Sequence, residues 1–453
     1  PATVSPNAIT VNNPTKDYNF SGQNITGTAA FVKNGAGTVN FANTLRVTGG
    51  NTINLGKVVL TGGTSGATTA IAAGGTLEYS FAANANQGPH AFSGGGSIVK
   101  SGTGILTFNA GNSTIALAAG GLIDVQAGKL QFGNFDAQGC SATANQSDMN
   151  IASGAIFDGY AGNVAVDKLT GAGTYQAGYF GPRSLTVGIA DGSSTFSGTI
   201  IGNGIDGNSQ TQLIKRGTGT LTLTGKVNAR GAYGGSSVEV RGGSVGSPST
   251  LVLSPTDLTS TTGYTGGGIY ISPGNTDFTI LEQTAGTLTG NLLAIGESGQ
   301  GTYTFSGGTV NAGRVEFAWN GGGNNGPSVM NISNSAALNV NSNGNILMGQ
   351  FFGRNITVNQ SGGSVVQFSD AGITRGGTGK MRFFSGNQDV TWNLSGGTLS
   401  IAGMERGSGG GFGGGNGILN LNGGILQITN AAFAAPTGDA NGKPVVAAKV
   451  LGD

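Results

Sequence analysis

The sequence predicts an all-β protein that folds as an elongated parallel β-solenoid, and three observations carry this prediction. The 453-residue chain contains 89 glycines and only 9% charged residues, where a soluble domain carries about 25%. Short runs of alternating apolar residues are interrupted by Gly, Asn, Thr or Ser, and helical periodicity is nearly absent. Two phrases also recur, as expected when repeats stack on one another. The glycines follow no three-residue period, which excludes collagen, and 37% apolar residues argue against a disordered linker.

The first phrase occurs as "FVKNGAGTVNFA" at 31–42, "IVKSGTGILTFNA" at 98–110 and "LIKRGTGTLTLTG" at 213–225. Each copy has a lysine, any residue, a glycine, a small residue and a second glycine, followed by apolar side chains at every second position. This order predicts a tight turn and then a strand. Because the lysine recurs in one structural position, we expect it to cap a coil corner rather than to bind acidic sugars. The repeat residues are Lys33, Gly35, Gly37, Lys100, Gly102, Gly104, Lys215, Gly217 and Gly219.

The second phrase dominates the C-terminal half as "FSGGTVNA", "QSGGSVVQ", "LSGGTLSI" and "LNGGILQI", with weaker copies marked by Gly286 and Ala336. Successive copies lie 22 to 34 residues apart, which matches one coil of a β-solenoid. Alternating strands flank each copy. Since glycine adopts positive φ without strain, we predict that the second glycine of each copy occupies a coil corner. These corner residues are Gly308, Gly363, Gly397 and Gly424.

The two phrases divide the sequence into four segments. Residues 1–245 are predicted to form the solenoid with lysine phrases, and 276–430 the solenoid with Ser-Gly-Gly-Thr coils. Between them, 246–275 is rich in Pro, Ser and Thr and predicts an irregular connection. Residues 431–453 form a C-terminal segment suited to an inter-subunit contact. We interpret 246–275 as a change of repeat style within one solenoid, with a domain boundary as the alternative.

The alternation also predicts which side chains face the core. Apolar residues at every second position should point inward, and the threonines between them, such as Thr220, Thr222 and Thr224, should point outward. The residues predicted to be buried are Leu221, Leu223, Leu394, Leu399, Leu421 and Leu426.

The lysine phrase followed by Gly-Thr-Leu-Thr-Leu-Thr-Gly resembles the autotransporter-associated β-strand repeat, also called the passenger-associated transport repeat, of large bacterial surface proteins. The resemblance is good at 196–225 and fair at 92–132 and 20–41. It implies a right-handed parallel β-helix, export from a Gram-negative-type cell and display at the cell surface. The sequence shows no C-terminal membrane barrel, which leaves the route of export open.

Several classes of function are excluded or disfavoured by composition. The formal charge of +1 and the absence of a Lys/Arg cluster argue against a nucleic-acid partner. No apolar run approaches the roughly 20 residues of a transmembrane segment. Cys140, the single cysteine, is interpreted as a small buried residue. We predict no metal and no cofactor, because "GNGIDGN" at 202–208 is a single copy of a calcium-loop-like pattern, and no helix follows "GSGGGFGGGNG" at 407–417 to bind a phosphate.

A polysaccharide-active enzyme is a serious alternative, because many such enzymes are β-helices. Asp136 and Asp158 are 22 residues apart and could stack about 5 Å apart on neighbouring coils, although solvated loop positions are the simpler interpretation. His90 is the sole histidine, and no acid or nucleophile pattern accompanies it. Trp319, Trp392 and the tyrosines could stack on sugars, but most are expected to be ordinary strand residues. We therefore predict that the protein is not an enzyme.

The predicted function is that of a non-enzymatic, extracellular structural protein, a fibre or coat subunit that assembles with itself head to tail. A monomeric adhesin that binds surface glycans is the alternative. An uncapped β-solenoid presents unpaired backbone groups at its ends, and both ends of this sequence look incomplete. We expect a terminal segment of one subunit to complete the solenoid of its neighbour. The residues predicted to make this contact are Ile9, Val11, Val445, Val446, Val450 and Leu451.

Overall fold

The computed structural model contains parallel strands connected by tight turns, with no helix among the residues that it describes. Contacts divide the chain into two compact units, Pro1–Gln212 and Leu213–Asp453, each of which is described separately below. The described residues are 3–62, 64–66, 68–88, 90–108, 113–133, 140–179, 181–204, 210–229, 237–254, 257–260, 268–318, 326–340, 345–349, 355–367, 380–383, 389–406, 417–428 and 447–450.

The first unit consists of short strands, most of them three to five residues long. They are β1 Ile9–Asn12, β2 Tyr18–Phe20, β3 Ile25–Gly27, β4 Phe31–Asn34, β5 Thr38–Phe41, β6 Leu45–Val47, β7 Asn51–Leu60, β8 Thr64–Gly66, β9 Thr68–Ser80, β10 Ala85–Gln87, β11 Ala91–Gly94, β12 Ser97–Ser101, β13 Ile105–Phe108, β14 Thr114–Leu117, β15 Leu122–Val125, β16 Lys129–Phe132, β17 Asp148–Ile151, β18 Ile156–Asp158, β19 Val164–Val166, β20 Leu169–Gly171, β21 Thr174–Ala177, β22 Arg183–Val187, β23 Ser194–Phe196 and β24 Thr199–Gly202.

The second unit has the same character, with longer strands where the chain bends without leaving the sheet. Its strands are β25 Thr211–Lys215, which starts at the boundary, β26 Thr220–Leu223, β27 Lys226–Ala229, β28 Val238–Val240, β29 Ser249–Leu253, β30 Asp257–Ser260, β31 Gly268–Ile271, β32 Phe278–Gln283, β33 Thr287–Ile295, β34 Gln300–Phe305, β35 Thr309–Phe317, β36 Ser328–Ile332, β37 Ala337–Val340, β38 Ile346–Met348, β39 Ile356–Gln367, β40 Lys380–Phe383, β41 Val390–Ile401, β42 Gly403–Arg406, β43 Gly417–Leu421, β44 Ile425–Ile428 and β45 Ala447–Val450.

In both units three strands make one coil, and each strand pairs in parallel with the equivalent strand of the next coil. In the first unit β11, β12 and β13 pair with β14, β15 and β16 in the same order. In the second unit β34 pairs with β36, and the two halves of β35 pair with β37 and β38. The prediction of an all-β parallel β-helix is therefore confirmed.

The core is a set of inward-facing columns, because parallel in-register pairing places equivalent side chains above one another. In the first unit the aromatic rings of Phe108, Phe132 and Phe157 follow one another, with centroids 6.0 and 4.9 Å apart. Ring packing of this kind adds about 0.5–1.5 kcal/mol per pair beyond the area that it buries. The columns thus hold successive coils together as well as filling the interior.

The predicted inward register is confirmed in the interior of the second unit. Leu221, Leu223, Leu394 and Leu399 are fully buried, and the intervening threonines are half-buried on the outer side. The prediction is wrong for Leu421 and Leu426, which are only half-buried. Leu426 belongs to β44, which among the described strands is covered by β41 on one side only, whereas Leu421 belongs to β43, which pairs with both β41 and β45.

The segment 246–275, predicted as an irregular connection, contains regular strands. β29 and β31 lie within it, and β29 pairs with β26 of the preceding coil and with β32 of the following coil. The prolines are accommodated because Pro248 and Pro273 stand outside strands, where no ladder hydrogen bond is required. These two strands therefore belong to the β-helix of the second unit.

Asparagines on the outer face form hydrogen-bonded ladders along the second unit. Asn359 Nδ2 donates to Asn331 Oδ1 at 3.0 Å, Asn393 to Asn359 at 2.9 Å, and Asn420 to Asn393 at 2.7 Å. The two middle amides, those of Asn359 and Asn393, both donate and accept, so the ladder links four successive coils in register. No helix within the described ranges is long and apolar enough to cross a membrane.

Candidate functional site: buried lysine and glutamine brackets

The Lys100 side chain is fully buried and closes the corner that follows β12. Its Nζ donates to the carbonyl oxygens of Ser101 at 2.8 Å and Gly102 at 2.7 Å, both in its own corner. A third bond, of 3.1 Å, reaches the carbonyl oxygen of Ala127 in the next coil. An ammonium group has three donors, so all three are used. The side chain both caps its corner and ties it to the neighbouring coil.

Lys33 and Lys215 make the same kind of contact, which we call a bracket: a buried side chain that donates hydrogen bonds both to its own corner and to the next coil. Lys33 Nζ donates to Gly35 O at 2.5 Å, to Asn34 O at 3.3 Å and, in the next coil, to Leu55 O at 3.0 Å. Lys215 Nζ donates to Arg216 O and Gly217 O, and its third partner is the hydroxyl of Ser249. The predicted capping role of the three lysines is therefore confirmed by their contacts.

The three lysines do not share one row of the helix, contrary to the expectation of a single structural position. Lys33 lies in β4, in a row that continues through Ile53 and Ile71. Lys100 lies in β12, in a different row of strands, where its neighbours are Tyr79 in the previous coil and Val125 in the next. The bracket depends only on the lysine, its own corner and the coil above it, so it can be built at more than one corner.

The two glycines of the phrase have different physical roles. The first has positive φ, at +81° for Gly35, +74° for Gly102 and +71° for Gly217. The second is required by close stacking, because a Cβ at Gly104 would lie 2.1 Å from the carbonyl oxygen of Ala83. A Cβ built at Gly37 would likewise lie only 2.7 Å from the carbonyl oxygen of Asn13. Gly219 directly precedes β26.

Burial affects the protonation of the bracket lysines. Removal from water lowers the pKa of Lys100 to about 8. It also lowers the pKa of Lys33, although the Asp17 carboxylate opposes this shift. The carbonyl acceptors are best satisfied by the ammonium form. The hydrogen bonds therefore favour a higher lysine pKa, whereas burial favours a lower one.

The Ser-Gly-Gly-Thr corners stack as predicted. Gly308, Gly363, Gly397 and Gly424 have φ of +85°, +66°, +75° and +74°. A Cβ at Gly397 would lie 2.3 Å from the carbonyl oxygen of Gly363, the corner residue of the previous coil. These corners therefore require glycine for both reasons at once.

Buried glutamines replace the lysine at these corners, a feature that the sequence analysis missed. Gln283 Nε2 donates to Gly286 O and to Thr309 O of the next coil, both at 3.2 Å, and its Oε1 accepts from Tyr303 Oη at 2.6 Å. Gln360 Nε2 donates to Thr398 O at 2.9 Å, and its Oε1 accepts from Trp392 Nε1 at 3.3 Å. The signal was present, because a glutamine stands shortly before the glycine phrase in "EQTAGT" and "NQSGGS".

The carboxylate considered for catalysis is engaged in a structural network. Asp158 stacks between Gln131 and Gln176, so its neighbour in the previous coil is not Asp136. Its Oδ2 accepts from Lys129 Nζ at 2.8 Å and Gln176 Nε2 at 2.7 Å, and its Oδ1 accepts from the Tyr160 amide at 2.9 Å. With both oxygens bonded and the side chain buried, Asp158 supports a turn at Tyr160, whose φ is +46°.

The remaining candidates are core residues. His90 is buried, stacks on Phe92 with centroids 4.3 Å apart, and has Nε2 2.7 Å from Thr69 Oγ1. Trp392 is buried in a core column. Cys140 is buried, and burial raises the pKa of its thiol. In the ranges that the structure describes, no group of three or more His, Cys, Asp or Glu side chains could hold a metal ion.

Several sequence predictions fall outside the described residues. These are Asp136, Trp319, Val445, Val446, Leu451, the segment 407–416 and residues 205–209 of the calcium-loop-like pattern. The backbone of Val450 is described, opposite Leu421. At the other end, Ile9 is half-buried and Val11 is buried in β1.

No family model, no curated protein and no solved structure matches this chain. The class that the fold and the brackets define is a parallel β-helix with internally satisfied corners. The resemblance to the autotransporter-associated repeat rests on the recurring phrases of the sequence and stays a prediction.

Proposed function

We propose that this protein is a non-enzymatic structural subunit of an extracellular bacterial fibre or coat, assembled head to tail by stacking one β-helix on the next. The observation that carries the proposal is that core columns run to strand edges where they are exposed. Ile428 continues the column of Ile401, which is 0% exposed, yet is itself 39% exposed. Tyr18 continues the column of Val39, also 0% exposed, yet is 47% exposed.

The first of these edges is β44. It pairs with β41 on one side, and no other described strand pairs with its second side. Ile425 is exposed on it, and Leu426 is half-buried. Unpaired backbone groups next to apolar side chains form a surface on which another parallel strand can add.

The second edge is β2 with its neighbour β1. β2 pairs only with β5 among the described strands, and Phe20 stacks on Phe41 with centroids 4.9 Å apart. Tyr18 and Phe20 therefore expose ring surface on the side of β2 that faces away from β5, where a further coil would cover it. Addition of a parallel strand from a second copy to each of these edges would bury both exposed columns.

Such a contact joins two different surfaces, so it need not close into a ring and can continue as a fibre. The formal charge of +1 gives subunits little mutual repulsion. The polar groups that line the corners are used by the brackets, which suits a role in mechanical and proteolytic resistance. The resemblance of the lysine phrase to the surface-protein repeat supports an extracellular location on a Gram-negative-type cell.

The proposal is tested by two edge variants, Tyr18→Lys and Ile428→Lys, followed by sedimentation velocity and electron microscopy over a wide range of protein concentration. The wild-type chain should form fibres that lengthen with concentration. Each variant alone should be monomeric and folded, because a buried lysine without a partner opposes the contact. An equimolar mixture should form dimers and no longer species, since each variant keeps one intact edge.

Val245→Lys is the matched control. Val245 is 80% exposed and lies away from both edges, so this variant should form fibres like the wild type. A wild-type chain that stays monomeric at all concentrations would refute the proposal. So would variants that still form fibres, or a mixture that forms no dimer.

A further inference from the structure

Tyr270 lies in β31 with its side chain half-exposed on the outer face of the sheet. It follows Glu239 and precedes Ala294 and Glu316 in the register of four consecutive coils. Tyr303, by contrast, is fully buried. The row spans about 14 Å, at about 4.8 Å per coil.

The Tyr270 ring lies over Gly268 of the same strand. A Cβ built at Gly268, two residues earlier on the same face, would be only 2.8 Å from Tyr270 Cε2. The ring therefore occupies the space that a side chain at 268 would fill. The Tyr270 side chain is half-exposed, so part of the ring is open to solvent.

Two Arg–Glu pairs flank this ring. Arg314 Nε lies 2.8 Å from Glu316 Oε1, and Arg241 Nε lies 3.0 Å from Glu239 Oε2. In each pair the carboxylate is the more buried partner, with 2% of the Glu316 side chain and 49% of the Arg314 side chain exposed. The buried carboxylates hold the guanidinium groups in place at the surface, which reduces the entropy lost when a ligand binds.

The electrostatic environment couples these groups. Burial raises the pKa of Glu316 to about 7, with Arg314 opposing the shift and Glu297 adding to it. The pKa of Tyr270 is raised by burial and then by Glu297 and Glu316. The Tyr270 hydroxyl is therefore a neutral hydrogen-bonding group beside paired charges.

We propose that Tyr270, with Arg314–Glu316 and Arg241–Glu239, forms a binding surface for a neutral hexose oligosaccharide. A pyranose ring carries an apolar face that packs on an aromatic ring, and its hydroxyls both donate and accept hydrogen bonds. The surface supplies the aromatic face together with guanidinium donors and carboxylate acceptors. Each arginine is matched by a carboxylate, so the surface has no excess positive charge for a polyanion. Strand addition by a peptide is also disfavoured, because β31 is paired on both sides by β28 and β33.

The test measures binding of the full chain to neutral hexasaccharides of glucose, mannose and galactose by isothermal titration calorimetry, with a hexasaccharide of galacturonate as the anionic comparison. At least one neutral hexasaccharide should bind. Tyr270→Ala should weaken it by about tenfold or more, and Tyr270→Phe, which keeps the ring, by much less. Gly268→Ala should also weaken it, because the added methyl lifts the ring from the sheet without removing any contacting group.

Leu55→Ala is the control, since the Leu55 side chain is 45% exposed and lies in β7 of the other unit, outside both β2 and β44, and it should leave the affinity unchanged. Circular dichroism of Tyr270→Ala and Gly268→Ala should match the wild type, so that lost binding is not lost folding. The proposal is overturned if none of the neutral hexasaccharides binds, if only the galacturonate binds, or if Tyr270→Ala binds as well as the wild type. Because these variants leave the edges intact, fibre formation is tested separately.

Discussion

Three glycines of the first unit allow the two reasons for glycine to be separated by single Gly→Ala substitutions. Gly120 has φ of +85° and nothing within 4 Å of a built Cβ, so alanine there suffers backbone strain alone. Gly104 has no positive φ, but its Cβ would lie 2.1 Å from Ala83 O, so alanine there suffers steric conflict alone. Gly102 combines both, with φ of +74° and a Cβ 2.4 Å from Phe81 O.

The expected losses in the free energy of unfolding follow from these geometries. For Gly120→Ala, left-handed backbone costs about 1–2 kcal/mol, and reduced freedom of the unfolded chain offsets about 0.4–1 kcal/mol, leaving about 1 kcal/mol. For Gly104→Ala, the coils must separate by about 1 Å, which strains the packing and the 3.0 Å bond from Gly104 N to Phe81 O, at about 2–4 kcal/mol. Gly102→Ala should lose about 3–5 kcal/mol, because it carries both effects.

The measurement is urea unfolding of the full chain followed by circular dichroism, with hydrogen exchange assigning the loss to the coils that contain each substitution. Because the two units can unfold in separate transitions, the loss of stability must appear in the transition that exposes the amides of the first unit to hydrogen exchange. Gly120→Ala must be the most stable of the three variants, Gly104→Ala the next, and Gly102→Ala the least stable. If Gly104→Ala is as stable as Gly120→Ala, close stacking does not explain the second glycine of the phrase.

The remaining predictions concern the brackets and the core. The folded pKa of Lys100, about 8, lies below its ordinary 10.5, so between these values the unfolded chain binds more protons. The free energy of unfolding contributed by this group should rise with pH across that window. The slope of the unfolding free energy against pH, measured by urea unfolding at several pH values, should be smaller in Lys100→Met than in the wild type. An equal slope would contradict the buried position of the Lys100 ammonium group. Gln360→Ala should cost about 2–4 kcal/mol by leaving Thr398 O and Trp392 Nε1 unpaired, and should shift tryptophan fluorescence, whereas an unchanged spectrum would argue against the bracket. Leu399→Ala should cost about 2–5 kcal/mol in thermal unfolding, against less than about 0.5 kcal/mol for the outward-facing Thr398→Ala, and a reversed order would refute the register.

Features that depend only on residues close in the chain could be predicted from the sequence. Alternation specified which side of a strand is apolar, so Leu221 and Leu399 could be assigned to the core without a structure. Positive φ is a local requirement as well, and the glycine of each corner, such as Gly102 or Gly397, could be recognised from its phrase. A recurring lysine beside such a corner likewise indicated a capping contact.

Features that depend on residues one coil away could be recognised only in the three-dimensional structure. It placed Asp158 beside Gln131 instead of Asp136, because the number of residues in a coil varies and a spacing of 22 does not ensure stacking. It made a regular strand of Ser249–Leu253 within the predicted irregular connection, since pairing with coils on both sides outweighs the local preference of Pro and Ser for loops.

The same reason explains the glutamine brackets and the exposed columns. Gln283 and Gln360 become recognisable only when the carbonyl groups of the next coil are in place to accept their hydrogen bonds. Ile428 has the apolar pattern of a buried residue, but burial requires a coil on each side, and the described structure supplies one. Sequence patterns specify which face of a strand is apolar, whereas stacking determines whether that face is covered.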